Sequence, residues 1–153
     1  MNRRQFPLSC FFLLLVVVAL CATQSSTSLA QGSTGTIERV SVSSAGAQAD
    51  STSYQPAITP DGRYVAFQSE ASDLVAGDTN WVYDVFVRDR QTGQTTRVSV
   101  SSAGAQGDES SERPSISSDG RYVAFYSYAT NLVANDTNEA YDAFVHDRQT
   151  GQT

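Results

Sequence analysis

Apolar and polar residues follow two different patterns along the chain. Tyr64-Val65-Ala66-Phe67 and Val85-Phe86-Val87 are continuously apolar, whereas Arg97-Val98-Ser99-Val100-Ser101 alternates at every residue. Successive side chains of a strand point to opposite faces. A continuous apolar run therefore predicts a strand covered on both sides, and the alternating run predicts one with a face in water. Four strands follow: Gln55–Thr59, Arg63–Ser69, Asp84–Arg88 and Thr95–Ser101. Pro60-Asp61-Gly62 separates the first two and Asp89-Arg90-Gln91-Thr92-Gly93 the last two. Asp-Gly tolerates positive φ, so these are turns, and short Gly-containing turns make consecutive strands antiparallel neighbours.

The whole pattern then recurs. Asp61-Gly62-Arg63-Tyr64-Val65-Ala66-Phe67 returns unchanged as Asp119 to Phe125, 58 positions later. Thr34–Thr95 aligns without a gap on Thr92–Thr153, with 42 of 62 positions identical. The match includes Tyr, Phe, Asp and Arg in order, so it is a structural repeat rather than low complexity. The second copy predicts strands at Arg113–Ser117, Arg121–Ser127 and Asp142–His146, after the turn Ser118-Asp119-Gly120. Thr36–Ser43 corresponds to the fourth strand and opens the repeat region. A four-stranded meander with sandwiched middle strands and a half-exposed last strand is what a propeller blade requires, because neighbouring blades cover both of its faces.

Residues 56–69, Pro-Ala-Ile-Thr-Pro-Asp-Gly-Arg-Tyr-Val-Ala-Phe-Gln-Ser, followed by Asp-Val-Phe-Val-Arg-Asp at 84–89, resemble the TolB-type, WD-repeat-like β-propeller unit. Residues 114–127 and 142–147 repeat the resemblance, which covers essentially all of 34–153. The unit is longer than is usual for that family, the excess lying in Ser102–Glu112 and Ala71–Asn80, and Ser118 replaces the turn proline in the second copy. The resemblance implies an all-β fold of two blades in an incomplete ring, since closed rings of that family take about six to eight blades. Either the chain is a fragment whose further blades lie in cis, or the opening strand completes a blade in a neighbouring copy. In both cases an isolated pair leaves open strand edges and bare apolar faces.

The N-terminal residues carry an address instead of a fold. Arg3 and Arg4 precede the 13-residue apolar run Cys10–Ala22, and Ser28-Leu29-Ala30 has the small residues of a cleavage site. This predicts a signal peptide over 1–30, with the repeats over 31–153 divided at about 37–94 and 95–153. A Sec signal fits the Leu/Val-rich run; Arg3-Arg4-Gln5-Phe6 is also compatible with a twin-arginine signal. Both cysteines, Cys10 and Cys21, fall in this leader, so the secreted or periplasmic chain would hold itself together without disulfides. The full chain has a net charge of −6 and no lysine, which excludes the basic stripe of a nucleic-acid binder and disfavours an anionic membrane surface.

Chemistry is sparse. Asp78, Asn80 and Asp84, repeated as Asp136, Asn138 and Asp142, place oxygens at positions 1, 3 and 7 of a loop, the kind of donor set calcium uses. Position 5 is Val82 or Ala140, and the closing Glu of a calcium hand is absent. The plainer reading has Asp78 and Asn80 capping loop N–H groups and Asp84 starting a strand. Asp89-Arg90 and Asp147-Arg148 read as turn residues that pair at the surface. Trp81 with Tyr83 and Tyr141 offers either an aromatic platform or packing, and packing is favoured because the second copy has Glu139 in place of Trp81. His146, the sole histidine, takes the place of Arg88 and reads as a variable surface position. Asn135-Asp136-Thr137 is a glycosylation sequon, of consequence only in a eukaryotic secretory host. There is no nucleophile elbow, metal-type His pair or phosphate loop, so no catalytic residue and no obligate cofactor are assigned. The sequence thus predicts a non-catalytic exported propeller segment that binds or scaffolds a protein or carbohydrate partner. A calcium-binding extracellular module and the propeller portion of a larger secreted enzyme such as a peptidase are its alternatives.

Overall fold

The computed structural model describes residues 35–153, and the expected leader lies outside them. Residues Ile37–Thr153 form one unit built from two antiparallel sheets. The first runs in the order β1 (Ser53–Ile58), β2 (Tyr64–Ser69), β3 (Asp84–Asp89) and β4 (Gln94–Arg97). The second runs β5 (Ser111–Ile116), β6 (Tyr122–Ser127) and β7 (Asp142–Asp147). Neither sheet closes on itself. Each is a meander because every connection is short or folds back: Gly62 and Gly120 both sit at φ 72° in the β1–β2 and β5–β6 turns. Thr59 Oγ1 or Ser117 Oγ ties each turn to the Asp61 or Asp119 carboxylate.

The first strand of each sheet carries a bulge. Tyr54 pairs with Gln68 and Ala57 with Ala66, leaving Gln55 and Pro56 opposite Phe67 alone. Glu112 and Ser115 repeat this on the second sheet. Proline has no N–H for the ladder, and the extra residue takes it out of register. Gln55 and Arg113 are held at φ 53° and 52°, where non-glycine residues are uncommon.

The sheets stack face to face. Ala66, Val85, Val87 and Val98 on the first meet Val123, Phe125, Leu132 and Phe144 on the second in one buried cluster. On the far side of the first sheet, Phe67 and Phe86 stack at 5.8 Å and are roofed by Ala49, Ala71 and Leu74 from the chain's own loops. Phe125 and Phe144 repeat the pair at 6.0 Å. Between the sheets the Ser111 N–H donates to the Tyr83 carbonyl at 2.6 Å, and the Arg113 N–H donates to Gln68 Oε1 at 2.8 Å.

Three expectations are corrected. Thr36–Ser43 does not form a strand: only a bridge from Val42 to Gln48 exists, closing a tight turn in which the Ser43 N–H donates to the Ala47 carbonyl. Strand geometry needs a partner edge, and no β3-type edge among the described residues lies free beside it. The fourth strand spans Gln94–Arg97 rather than Thr95–Ser101; it alternates exposed with buried as expected, but Val98 and Ser99 beyond it are both buried, Val98 in the seam and Ser99 against Asp84. Finally, His146 is buried, with Nδ1 2.9 Å from Thr153 Oγ1, and burial pushes its pKa down.

Candidate functional site

Both copies of the acidic loop lie between the second and third strands of their sheets. In the first, Asp84 opens β3 fully buried. One oxygen accepts from Ser99 Oγ; the other accepts from Arg97 Nη1 at 3.1 Å and Asn80 Nδ2 at 3.2 Å. Asp78 accepts from Gln106 Nε2 at 3.0 Å and lies 3.3 Å from Arg97 Nη1. Burial pushes both carboxyls above the ordinary range, and the Asp84 charge adds to this at Asp78; Arg97 pulls both the other way. The loop therefore already holds a cation, the Arg97 guanidinium, with Gln106 as a second donor. Asp78, Asn80 and Asp84 are brought together as the spacing suggested, but Asp78 Oδ1, Asn80 Oδ1 and both Asp84 oxygens already accept protein hydrogen bonds.

The second loop is different. Asn138 Nδ2 donates to Asp142 Oδ2 at 2.7 Å, and among the described residues no arginine pairs with these carboxylates. Asp136, Asn138 and Asp142 line an open cleft of about 320 Å³ with Phe144 at its base. Among the described residues, no group of three or more His, Cys, Asp or Glu side chains is arranged to hold a metal ion.

At the opposite end of the sheets the turn arginines do not pair with their neighbours in sequence. Asp89 takes a two-point bond from Arg63, at 3.2 and 2.9 Å, and Asp147 takes one from Arg121 at 2.9 and 2.7 Å. Arg90 instead reaches Glu38 and the Gly62 carbonyl. Each of these arginine–aspartate bonds spans adjacent strands, which brings together residues 26 apart in sequence. Arg63 holds the Asp89 carboxyl well below the usual carboxylate range, and Arg121 does the same for Asp147. The folded chain thus binds these two protons less readily than the unfolded chain. Their contribution is present above the ordinary aspartate pKa of about 4 and is lost as pH falls below it. The double variant Asp89→Asn, Asp147→Asn should show a flatter fall in melting temperature between about pH 5 and pH 2 than the parent chain. An equally steep fall would mean that the two ion pairs are not responsible for acid lability.

The loop end also displays aromatic residues. Trp81 is 78% exposed at φ 59°, so it does not pack as expected. Tyr54 and Tyr83 lie 6.3 Å apart beside the bulge, and Tyr128 and Tyr141 lie 5.4 Å apart on the second sheet. Tyr126 and Tyr141 with Glu112 and Arg113 line a cleft of about 310 Å³, where the Tyr141 hydroxyl donates to Glu112 Oε1. All five non-glycine residues with positive φ among the described residues (Gln55, Trp81, Arg113, Asn135 and Glu139) belong to this end. The sequence flagged Trp81 but not the bulges, although Pro56 and Pro114 within strand patterns were the available signal.

Successive antiparallel meanders that each cover a face of the next are the blades of a β-propeller, here as an open pair. Among solved structures the chain is similar to a putative TolB from Agrobacterium tumefaciens, with 21% identity and a TM-score of 0.44 over 66% of this chain and 28% of that one. It is also similar to TolB from Acinetobacter baumannii, with 15% identity and a TM-score of 0.24 over 67% of this chain and 31% of that one. The chain therefore spans less than a third of the length of either structure. No protein-family model and no curated protein matches the sequence.

Proposed function

We propose that this chain is an exported, non-catalytic propeller segment that binds a protein or carbohydrate partner at its aromatic loop end. The observation that carries this reading is the collection of all five strained non-glycine residues at the one end that also exposes Trp81, Tyr54 and Tyr141. Backbone strain of about 1–3 kcal/mol per residue is retained where the surrounding structure enforces it, commonly at ligand sites. Large aromatic rings left in water on such loops are suited to stacking on a sugar face or to anchoring an extended peptide. Export is supported by the signal-like character of residues 1–30.

Trp81 is the only tryptophan, so its emission reports on this end alone. Titration with a panel of soluble oligosaccharides and of extended peptides should give a saturating shift with one class, lost in Trp81→Ala. Flat emission across the panel, together with no heat by calorimetry, would refute the reading. In the calcium-module alternative the first loop is already filled by Arg97 and Gln106. The second loop offers only the two carboxylates of Asp136 and Asp142, with no third acidic or His side chain joining them among the described residues. Millimolar calcium is accordingly expected to leave the melting temperature unchanged, and a rise of several degrees would revive that alternative.

A further inference from the structure

The two repeats share a sequence but not a burial pattern. Tyr64-Val65-Ala66-Phe67 is covered on both faces, whereas Tyr122, Ala124 and Tyr126 on the identical or equivalent positions of β6 are exposed. Val85 and Val87 are fully buried; Ala143 and Val145, one repeat later, are not, and Val145 is 53% exposed. What covers this face on the first sheet is the second sheet. At the other end of the unit, the first sheet's own copy of that covering surface is bare along β1: Ile58 is 59% exposed and Pro56 is exposed, where Ile116 is half-buried and Pro114 buried, while Phe67 and Phe86 are roofed by the chain's own loops. The unit thus shows one face wanting a cover and one cover wanting a face.

We propose that the exposed face of β6 and β7 docks a second copy of this chain, head to tail, by the same operation that stacks the second repeat on the first. Two polar features match in the same sense. Arg97, Ser99 and Gln106 supply the donors that fill the Asp78–Asp84 loop. Their counterparts one repeat earlier are Arg39, Ser41 and Gln48, and Arg39, with no acidic loop beside it, turns back to Gln48. The Asp136–Asp142 loop holds no such donors, so Arg39 of a second copy enters it with opposite charge. At the other end of the sheets, Arg148 lies 4.5 Å over the Tyr64 ring, which packs on Gly120. Tyr122 is the exposed counterpart of that ring, and Arg90 with Gly62 is the counterpart of what packs on it. Gln152 and Thr153 already occupy the first positions beside Asp147 and His146, and residues 38–41 of another copy pair with the rest of the β7 edge, as Thr96 and Arg97 pair with β3.

Such a contact is heterologous and repeats until a ring closes.

Sedimentation velocity of the purified chain over a concentration series tests the proposal. The expected result is an assembly of a fixed small number of chains. Arg39→Asp at the head raises its dissociation constant roughly thirtyfold or more. Val145→Arg at the tail has the same effect, and neither exposed residue is needed for the fold of the single chain. An equal mixture of the two variants forms dimers and nothing larger, because one good head meets one good tail. Combining Arg39→Asp with Asp142→Arg in one chain swaps the charges across the junction and restores the parent assembly. A monomeric parent chain overturns the proposal. So does assembly indifferent to the single variants, a mixture that stays monomeric, or a charge swap that restores nothing.

Discussion

Asp84→Ala is expected to lower the stability of the single chain by about 3 kcal/mol. Asp142→Ala, the same residue one repeat later, should lower it by about 1 kcal/mol or less. The reason lies in what each carboxylate meets. Asp84 is fully buried and accepts from Ser99, Arg97 and Asn80, and its removal leaves a largely buried guanidinium with Asp78 as its one remaining carboxylate, beside the Gly77 carbonyl. Losing one partner of a buried pair is severe because the remaining charge keeps its desolvation penalty. Asp142 is half-buried and accepts from Asn138, so water can replace what is lost. Denaturant midpoints measured in the Arg39→Asp background, where head-to-tail contact is broken, compare the two directly. Equal losses would mean that Arg97 is not held by Asp84.

Gly120→Ala and Gly62→Ala provide the second contrast. Both glycines sit at φ 72° in the same seven-residue sequence, so each alanine carries about 1–2 kcal/mol of backbone strain. At Gly120 a methyl group would also come within 2.2 Å of Tyr64 Cδ2, a ring fixed between Arg63 and Arg148. At Gly62 the nearest atom is 3.4 Å away at the end of the Arg90 side chain, which can move. Overpacking against the fixed ring adds about 1–3 kcal/mol at Gly120 alone. The same single-chain background and the same denaturation measurement apply, and a Gly62→Ala loss as large as that of Gly120→Ala would contradict the seam geometry.

Much of the fold was legible because the repeat states it twice. The strands Tyr64–Ser69, Asp84–Asp89, Tyr122–Ser127 and Asp142–Asp147 fall within a residue of the runs their apolar pattern predicts. The first strands begin two residues earlier than predicted, since the bulge at Gln55 and Pro56 lets pairing resume at Ser53 and Tyr54. The acidic loops were legible as clusters of oxygen donors. That Arg97 fills one was not, because it lies 13 residues from Asp84 and reaches it only through the pairing of β3 with β4. Trp81 shows the limit from the other side, as composition favours burial of an indole and only the loop's backbone turned it outward.

The sequence by itself determined which segments are strands, where they turn and that they come in two equivalent sets, since these follow from local side-chain alternation and from residues that tolerate turn geometry. It could not decide which faces are covered. Tyr-Val-Ala-Phe is the same four residues in β2 and β6, yet Ala66 is sealed and Ala124 is open. Burial is a property of what packs alongside, and only the stacking of one sheet on the other made two strands that share these four residues physically different.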